Sequence, residues 1–298
     1  MGVGLSQLVK AKRINLDHLA GKTVAVDALN AIYQFLAIVR LPDGNLLVSR
    51  EGKVTSHIMG LFYRTINLLE HRIKPVYVFD GKPPALKKRK LEERAKVKER
   101  FQVEWLEALK EGDLVKAFKK SVMTAKVDDE ILADAKTLLE LMGIPYVQAP
   151  SEGEAQAAYM AAKGDVWASA SQDFDSLLFG SPRLIRNLTI AGKKYYPKRG
   201  IVEELEPEVI ELENLLKELG LTREQLIDLA ILIGTDYNEG VYGVGPKRAL
   251  KLVKNYGSAE RALNALGLKL DIDLSSVKDI FLNAEVTDSY FLMWKEPR

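Results

Sequence analysis

Seven acidic residues occupy positions from which their carboxylates could act as one cluster. Three end short apolar segments that have the pattern of buried strands, two open a helical pattern after a fourth such segment, and two lie in turns. Ligand sites of open α/β sheets lie beyond the carboxyl ends of parallel strands, so we expect these acids in one crevice. They are Asp27, Asp80, Glu152, Glu154, Asp173, Asp175 and Asp236.

Such a cluster favours bound cations, because neighbouring carboxylates raise one another's pKa values unless positive charge neutralises them. The chain has no cysteine and three histidines, which excludes a thiolate metal site and disfavours a histidine-rich zinc site. Oxygen ligands suit Mg²⁺, Mn²⁺ or Ca²⁺, and a pair of such ions is a known device for phosphoryl transfer.

Each acid taken alone has a simpler structural interpretation. Glu154 completes a capping box with Ser151 in the pattern S-x-x-E. A strand-end aspartate such as Asp27 or Asp80 can cap the helix that follows it, and the remaining aspartates can be ordinary turn residues. The convergence of strand-end acids with two acid-x-acid pairs favours the metal site.

The segment 82–126 carries 14 basic and 7 acidic side chains, although the net charge of the chain is only +2. This local excess predicts a polyanionic partner. The segment begins directly after Asp80, at the rim of the expected acidic site. Lys87 and Arg94 lie seven residues apart, two helical turns, and would share a face that could hold a phosphate near the metals. The alternative is an ordinary solvated helix face.

A second phosphate-binding pattern lies near the C-terminus, in the sequence GVGPKRALKL. Gly243, Gly245 and Pro246 predict a helix whose first backbone N–H groups are free to meet an anion, and Lys247 and Arg248 stand beside them. Contact with the backbone of duplex DNA is the favoured interpretation, and a simple tight turn is the alternative.

Apolar periodicity predicts alternating strands and helices around these residues. This alternation predicts an α/β fold with a central, mostly parallel, twisted sheet and helices on both faces. Residues 221–256 predict instead two helices around a glycine-rich loop. Strands are expected at 22–27, 75–79, 143–150 and 165–173, and helices at 28–40, 54–71, 128–142 and 151–164, with one or two basic helices between 86 and 120 that break near Gly112.

The composition is that of a globular protein. Hydrophobic residues make up 47% and charged residues 28% of the 298 residues, which excludes a wholly disordered chain. No apolar run approaches the roughly 20 residues that span a bilayer, and the N-terminus lacks the apolar core of a signal peptide. We therefore expect a cytoplasmic protein with no membrane partner, of two domains or of one large domain with an appendage.

Several stretches follow one another in the order and spacing of a known family, from residue 1 to about residue 256. They are VDALNAIYQFLAIVR, SHIMGLFYRTI, KPVYVFDGKPP, LMGIPYVQAPSEGEAQAA, SQDFDSLLFGSPRL and ILIGTDYNEGVYGVGPKRA. In them the chain resembles the archaeal-type flap endonucleases of the structure-specific 5′ nuclease superfamily. The resemblance implies a PIN-like core in two parts, 1–81 and 127–220, a helical arch at 82–126, a helix–two-turn–helix element at 221–256 and a helical remainder at 257–298.

The resemblance also implies roles for single residues. The seven acids match ligands of two Mg²⁺ ions, for which Mn²⁺ can substitute. Lys87 and Arg94 match residues that contact the scissile phosphate, and Tyr33 matches an aromatic that stacks on the base beside it. Without the resemblance, Tyr33 would be a core residue, since it shares a helix face with Ile32 and Leu36.

Further positions match contacts with DNA. The glycine-rich loop matches an element that grips the downstream duplex and often binds K⁺, and Gly2 matches an N-terminus near the active site. Without the resemblance, Arg40 and Arg64 would be ordinary helix-end cations. The implied contacts are Arg40, Arg64, Glu152, Gly234, Asp236, Gly243, Gly245, Lys247 and Arg248.

The resemblance therefore implies a structure-specific 5′ flap endonuclease with 5′–3′ exonuclease activity in DNA replication and repair. It would act as a monomer on 5′ flaps, nicks or gapped duplexes and leave 5′ phosphates. The alternatives are a 5′ exonuclease of the same superfamily, a catalytically silent junction binder and a PIN-type ribonuclease. Family members continue beyond Trp294-Lys-Glu-Pro297 to a peptide that binds the sliding clamp, and this chain stops at Arg298 without it, which suggests a truncation.

Overall fold

The architecture is given by a computed structural model that describes residues 3–190, 192–196 and 201–298. In its described part, a seven-stranded mixed sheet has the strand order β1-β9-β6-β5-β2-β3-β4, and β7 and β8 form a separate ribbon. The strands are β1 (Lys12–Arg13), β2 (Thr23–Asp27), β3 (Lys74–Phe79), β4 (Tyr146–Gln148), β5 (Ala168–Ala170), β6 (Arg183–Arg186), β7 (Gly192–Tyr196), β8 (Ile201–Leu205) and β9 (Glu208–Glu211).

The middle of the sheet is parallel, which confirms the predicted fold class. β2 pairs in parallel with β3 on one side and β5 on the other, and β3 and β5 continue in parallel to β4 and β6. Only the β9 and β1 side is antiparallel. β2 and β3 are short apolar runs buried on both faces, as expected for central parallel strands.

Helices cover both faces of the sheet. Alternate residues of β2 point to opposite sides, so Val24 and Val26 pack in one core with α1, α2 and α5, whereas Ala25 packs in another with α6. A third core joins α9 to α12. The helices are α1 (Ala28–Ile38), α2 (Ser56–Glu70), α3 (Lys88–Lys110), α4 (Leu114–Ser121), α5 (Asp129–Leu141), α6 (Gly153–Lys163), α7 (Asp175–Leu178), α8 (Leu212–Leu219), α9 (Arg223–Ile233), α10 (Pro246–Tyr256), α11 (Ala259–Leu266) and α12 (Leu274–Leu282).

The basic segment forms two helices, α3 and α4, and we call these two helices the arch. They separate at Gly112, as predicted, where a φ of +73° favours glycine. Of the residues of α3, all of which the structure describes, Ala108 alone is buried. Trp105 fastens the far end of α3 by donating from Nε1 to the carbonyl of Asp43 at 3.0 Å.

Some boundaries differ from the sequence-based expectation. The strand predicted at 165–173 is only β5, because residues after Ala170 turn toward the acidic crevice. Helix α6 has Glu152 at its N-cap, and Glu154 accepts a hydrogen bond from Ser176 instead of completing a capping box. The sequence analysis did not predict β6 to β9 or α8.

The C-terminal remainder is less helical than predicted. After α12, the described residues 284–298 contain no further helix and run as an irregular strap across β3 and α6. Trp294 Nε1 donates to the carbonyl of Pro75 at 3.1 Å, and the amide of Lys295 donates to the carbonyl of Gly143 at 2.9 Å. Half-buried and exposed side chains alternate from Tyr290 to Trp294, but all five are apolar or aromatic, so the sequence shows no period that would identify the strap. In the described part of the chain, no helix has the length and apolarity to cross a bilayer.

Candidate active site

The carboxyl ends of three parallel strands meet at one crevice. Asp27 is the last residue of β2, Asp80 follows β3 directly, and Asp173 lies three residues beyond β5. The N-terminus of α6 brings Glu152 and Glu154 to the same place. Asp175 reaches the crevice from the first residue of α7 and Asp236 from the loop after α9, so all seven predicted acids surround it.

Hydrogen bonds fix the acids at the strand ends. Asp27 Oδ1 accepts from the amide of Asn30 at 2.9 Å, so it caps α1, and Oδ2 accepts from Ser171. Asp80 Oδ1 accepts from the amide of Gly153 at 2.6 Å. A Cβ atom at Gly153 would lie 2.5 Å from that same oxygen, so only glycine allows Asp80 this position. Capping and membership of the cluster are therefore compatible.

Burial and mutual repulsion perturb the acids strongly. Burial, with a contribution from Asp80, raises the pKa of Asp27 to about 7. Burial likewise raises the pKa of Asp175 to about 7, although its bond from the amide of Val3 opposes the shift. Burial and the charge of Asp175 raise the pKa of Glu154 well above its usual range. Acids held at such cost are characteristic of functional sites.

The donor set fits hard divalent cations. Glu152 Oε1 is buried and has no hydrogen-bond partner among the described residues, so it is free to accept a cation. All seven groups offer carboxylate oxygens, the ligands preferred by Mg²⁺. Among the residues that the structure describes, no three acidic or histidine side chains lie close enough together to hold a metal ion as they stand.

Two cations from the arch lie among the acids. Lys87 Nζ is 2.5 Å from Glu152 Oε2 and 3.7 Å from Asp236 Oδ2. Burial disfavours its charged form, but Glu152, Asp80 and Asp236 outweigh burial and raise the pKa of Lys87. Arg94 Nη2 lies 2.5 Å from Asp236 Oδ1. Both predicted phosphate-contacting residues therefore lie at the rim of the crevice, each paired with an acid.

Tyr33 combines its two sequence interpretations. It is half-buried on α1 and packs against the core, yet one side of its ring meets the arch. Lys98 Nζ lies 4.5 Å from the ring centroid and donates to the phenol oxygen at 3.3 Å. A cation over the ring shows that this aromatic face is open to partners from outside the core.

Arg40 and Arg64 are not simple exposed helix-end cations. Burial lowers the pKa of Arg40 to about 10 and lowers the pKa of Arg64. Arg40 donates to the carbonyls of Leu36 and Gly44, and its buried Nη2 has no partner among the described residues. A groove of about 370 Å³ between α1 and α2 includes Arg64 and Thr189 in its lining.

The glycine-rich loop has the predicted form. Gly234 ends α9 at a φ of +110°, where an L side chain would be strained. Gly245 is the N-cap of α10 with Pro246 at the first helical position. Lys247 and Arg248 are exposed beside the free amides of this helix, a geometry suited to phosphate.

The sequence analysis missed the groups that support the acids. Ser171 donates to Asp27, Ser176 donates to Glu154, and the amide of Val3 donates to Asp175 across 172 residues of chain. The nearness of Ser171 to Asp173 was a weak signal, and a backbone amide gives none at all. Gly2 lies outside the described residues.

Comparisons with known proteins place the chain in a family. The XPG N-terminal domain matches residues 1–101 and the XPG I-region matches residues 143–236. The chain is 57% identical to flap endonuclease 1 of Pyrococcus abyssi and 52% identical to that of Archaeoglobus fulgidus, in each case over its whole length and 86% or 88% of the relative.

Solved structures agree. The flap endonuclease-1 structure from Methanococcus jannaschii matches with a TM-score of 0.77 and 44% identity over 99% of this chain and 89% of that one. The catalytic core of Rad2 in complex with DNA substrate matches with a TM-score of 0.72 and 28% identity over 96% of this chain and 87% of that one.

The parallel sheet with an acid-lined crevice at its carboxyl edge defines a metal-dependent DNA nuclease of the XPG/Rad2 class. The chain belongs to the archaeal-type flap endonuclease 1 family. It is a structure-specific 5′ flap endonuclease of DNA replication and repair.

Proposed function

We propose that the seven acids hold two Mg²⁺ ions, replaceable by Mn²⁺, at which this enzyme hydrolyses DNA phosphodiesters. The observation that carries the proposal is the convergence of seven carboxylates, five of them with pKa values raised by burial, on one strand-end crevice. Bound there, the ions would polarise the phosphate and acidify water. Asp27, Asp80, Glu152, Glu154, Asp173, Asp175 and Asp236 would supply the ligands.

Lys87 and Arg94 would hold the scissile phosphate. Each is a permanent cation at the rim of the crevice and already bonds to an acid there. A phosphate oxygen entering the crevice would accept from the same Nζ and Nη atoms, which would balance the charge that develops during hydrolysis. Tyr33 would stack on the base beside that phosphate, in place of Lys98 on its open face.

The duplex would lie along the cationic and glycine-rich positions on either side of the crevice. Arg40 and Arg64 would contact DNA near the α1–α2 groove. The backbone of the downstream duplex would be held by Gly243, Gly245, Lys247 and Arg248, with K⁺ bound at this loop. Gly234 would let the DNA strand come close to Asp236. Specificity would come from DNA shape and bending, because phosphate contacts carry no sequence information.

We further propose that the enzyme is a monomer and that it acts on genomic DNA in the cytoplasm. The chain spans 86% of the Pyrococcus abyssi relative. Residues 1–298 carry no clamp-binding peptide of the pattern Gln-x-x-aliphatic-x-x-aromatic-aromatic, so any clamp contact through that peptide needs residues outside this sequence.

The test is product mapping on a labelled double-flap DNA. With Mg²⁺ we expect one incision near the junction and a 5′-phosphate end, and with EDTA we expect none until excess Mg²⁺ is added. Undiminished cleavage in EDTA would refute the metal site. Cleavage of single-stranded RNA in preference to the flap would refute the assigned DNA path.

A further inference from the structure

Cations at the base of the arch meet a single loop, residues 234–240, which follows α9. Arg94 and Lys87 both contact Asp236 in this loop. Two residues after Lys87, the Arg89 guanidinium pairs with the carboxylate of Glu239. A cavity of about 270 Å³ lies between the arch base and the loop, so ion pairs, not close packing, join the two surfaces.

The 234–240 loop is internally fixed. Thr235 Oγ1 donates to Asn238 Oδ1 at 2.7 Å, and the amide of Thr235 donates to the carbonyl of Asn238 at 3.0 Å. Asn238 Nδ2 in turn donates to the carbonyl of Ile231 at the end of α9 at 2.8 Å. Asp236 and Glu239 therefore move as one unit with α9, and a displacement of one displaces the other.

The same loop leads directly into the duplex-contacting element. Glu239 is followed within a few residues by Gly243 and by Gly245, the N-cap of α10. A duplex held at this N-terminus fixes the 234–240 loop from one side, and the arch base grips it from the other. The loop thus connects the duplex-contacting element, through the chain, to the carboxylates that pair with the cations at the arch base.

We propose that Arg89 is a positioning residue, which acts through Glu239 to set Lys87 and Arg94 over the crevice when a duplex occupies the α10 N-terminus. The proposal rests on the proposed function of Lys87, Arg94 and the duplex element. Arg89 also lies 3.3 Å from Glu93 Oε1, one turn along α3. The contact with Glu93 orients the guanidinium along α3, and Glu239 of the loop is its second carboxylate partner.

If Arg89 instead contacted DNA directly, loss of its partner Glu239 would have the opposite effect on the cleavage rate. Loss of Glu239 removes a negative charge near DNA, so pure electrostatics predicts tighter binding and equal or faster cleavage. Positioning through the ion pair predicts slower cleavage when either Arg89 or Glu239 is lost. The two single variants therefore separate the mechanisms by sign.

The experiment measures double-flap affinity and single-turnover cleavage at saturating DNA with Mg²⁺. The variants are Arg89→Ala, Glu239→Ala, both together, and the exchanged pair Arg89→Glu with Glu239→Arg. We expect each single alanine variant to lower the rate about two- to fivefold, the range open to an exposed ion pair. The double variant should be no slower than the slower single one, the exchanged pair should recover most of the rate, and the affinity after Glu239→Ala should not fall.

The matched control is the exposed ion pair of Lys53 and Glu130, which lies outside the arch. Its Nζ and Oε1 atoms are 3.0 Å apart. Lys53→Ala and Glu130→Ala should leave the rate unchanged. An unchanged or faster Glu239→Ala variant, additive losses, or an exchanged pair no faster than the slower single alanine variant would overturn the proposal. Failure of the wild-type protein to cut the flap would instead refute the proposed function.

Discussion

At the scale of single residues, the site is defined by carboxylates that the fold keeps buried at an energetic cost. Asp27 and Asp175, with pKa values raised to about 7, cannot lower the energy of the folded chain by their own charge. Their position is set by strand ends and backbone amides and not by favourable ionisation. A gain in stability from their charge therefore does not explain their burial.

Replacing one proposed metal ligand should separate catalysis from binding. We expect Asp80→Ala or Asp173→Ala to abolish cleavage, because the cations that activate water lose a ligand. Junction affinity should stay near that of the wild type, because the proposed duplex contacts at 243–248 are untouched. Gel-shift titration and single-turnover cleavage measure the two effects. A variant with wild-type turnover at saturating DNA would contradict the ligand assignment.

His57 gives a prediction about stability and pH. It is buried on α2, its Nε2 lies 3.7 Å from Asp134 Oδ2, and neither ring nitrogen has a hydrogen bond among the described residues. Burial lowers the pKa of His57, although Asp134, Asp128 and Glu130 oppose the shift. Below about pH 6.5 the unfolded chain therefore binds a proton that the folded chain resists, and stability falls as the pH falls.

His57→Leu should remove this part of the pH dependence. Denaturant unfolding between pH 5 and pH 8 should show wild-type stability falling relative to the variant below about pH 6.5, by at most about 1.4 kcal/mol per pH unit. Above that pH the difference between the two proteins should be constant. Parallel curves over the whole range would show that His57 titrates alike in the folded and unfolded chains.

At the scale of elements, two basic regions belong to the proposed DNA-binding surface. They are the arch and the N-terminus of α10. They differ in how they are held. The helix α10 buries Ala249 and Val253 in the third core, whereas α3 buries only Ala108. This difference predicts a firm duplex clamp and a responsive arch.

Removing two exposed cations of the clamp should change the salt dependence of binding. Each phosphate contact releases counterions, so Lys247→Ala with Arg248→Ala should reduce the log–log salt slope of affinity by about 2, for any sequence. The exposed residues Lys10 and Lys12 provide a matched double-alanine control that should leave the slope unchanged. An unchanged slope in the clamp variant would show that Lys247 and Arg248 do not touch the backbone.

The arch should couple recognition to chemistry. Lys87→Ala or Arg94→Ala should lower single-turnover cleavage by about two to three orders of magnitude, the scale of one lost transition-state donor, with little change in flap affinity. Amide exchange across 86–126 should slow when a flap is added, because few apolar anchors hold the segment. Equal exchange with and without DNA, or weaker affinity at an unchanged rate, would contradict a responsive arch.

The sequence predicted the helices and strands that have a strong hydrophobic periodicity. It did not predict the strands that form only by pairing with residues distant in the chain. β2, β3 and α1 lie almost where apolar patterns placed them. The sequence of β9 has only a weak strand pattern, because its antiparallel pairing with β6 depends on residues that are distant in the chain. The seven acids were predicted from strand ends, a helix start and turns. Their supporting hydroxyl and amide groups were not predicted, because backbone donors leave no mark in a sequence.

At the scale of the whole molecule, the strap of residues 284–298 joins two of the three cores. Trp294 contacts both and bonds to Pro75. Trp294→Ala should lower the free energy of unfolding by about 2 to 3 kcal/mol, the lower end for such truncations because the ring is half-buried. Phe291, which is 87% exposed, is the control: Phe291→Ala should change stability by less than about 0.5 kcal/mol. Equal effects in denaturant unfolding would mean that the strap is not anchored by Trp294.

The strap and the Val3 contact also set the order in which a newly made chain can mature. Trp294 reaches back across 219 residues and Asp175 is bonded across 172, so the native state depends on contacts of long sequence separation, which slow folding. During synthesis, β2 and β3 leave the ribosome well before β5 and before Asp236. The early strands must wait for their later neighbours, and they expose apolar surface in the meantime. A nuclease built in this way completes its cutting site only after Asp236 has been synthesised.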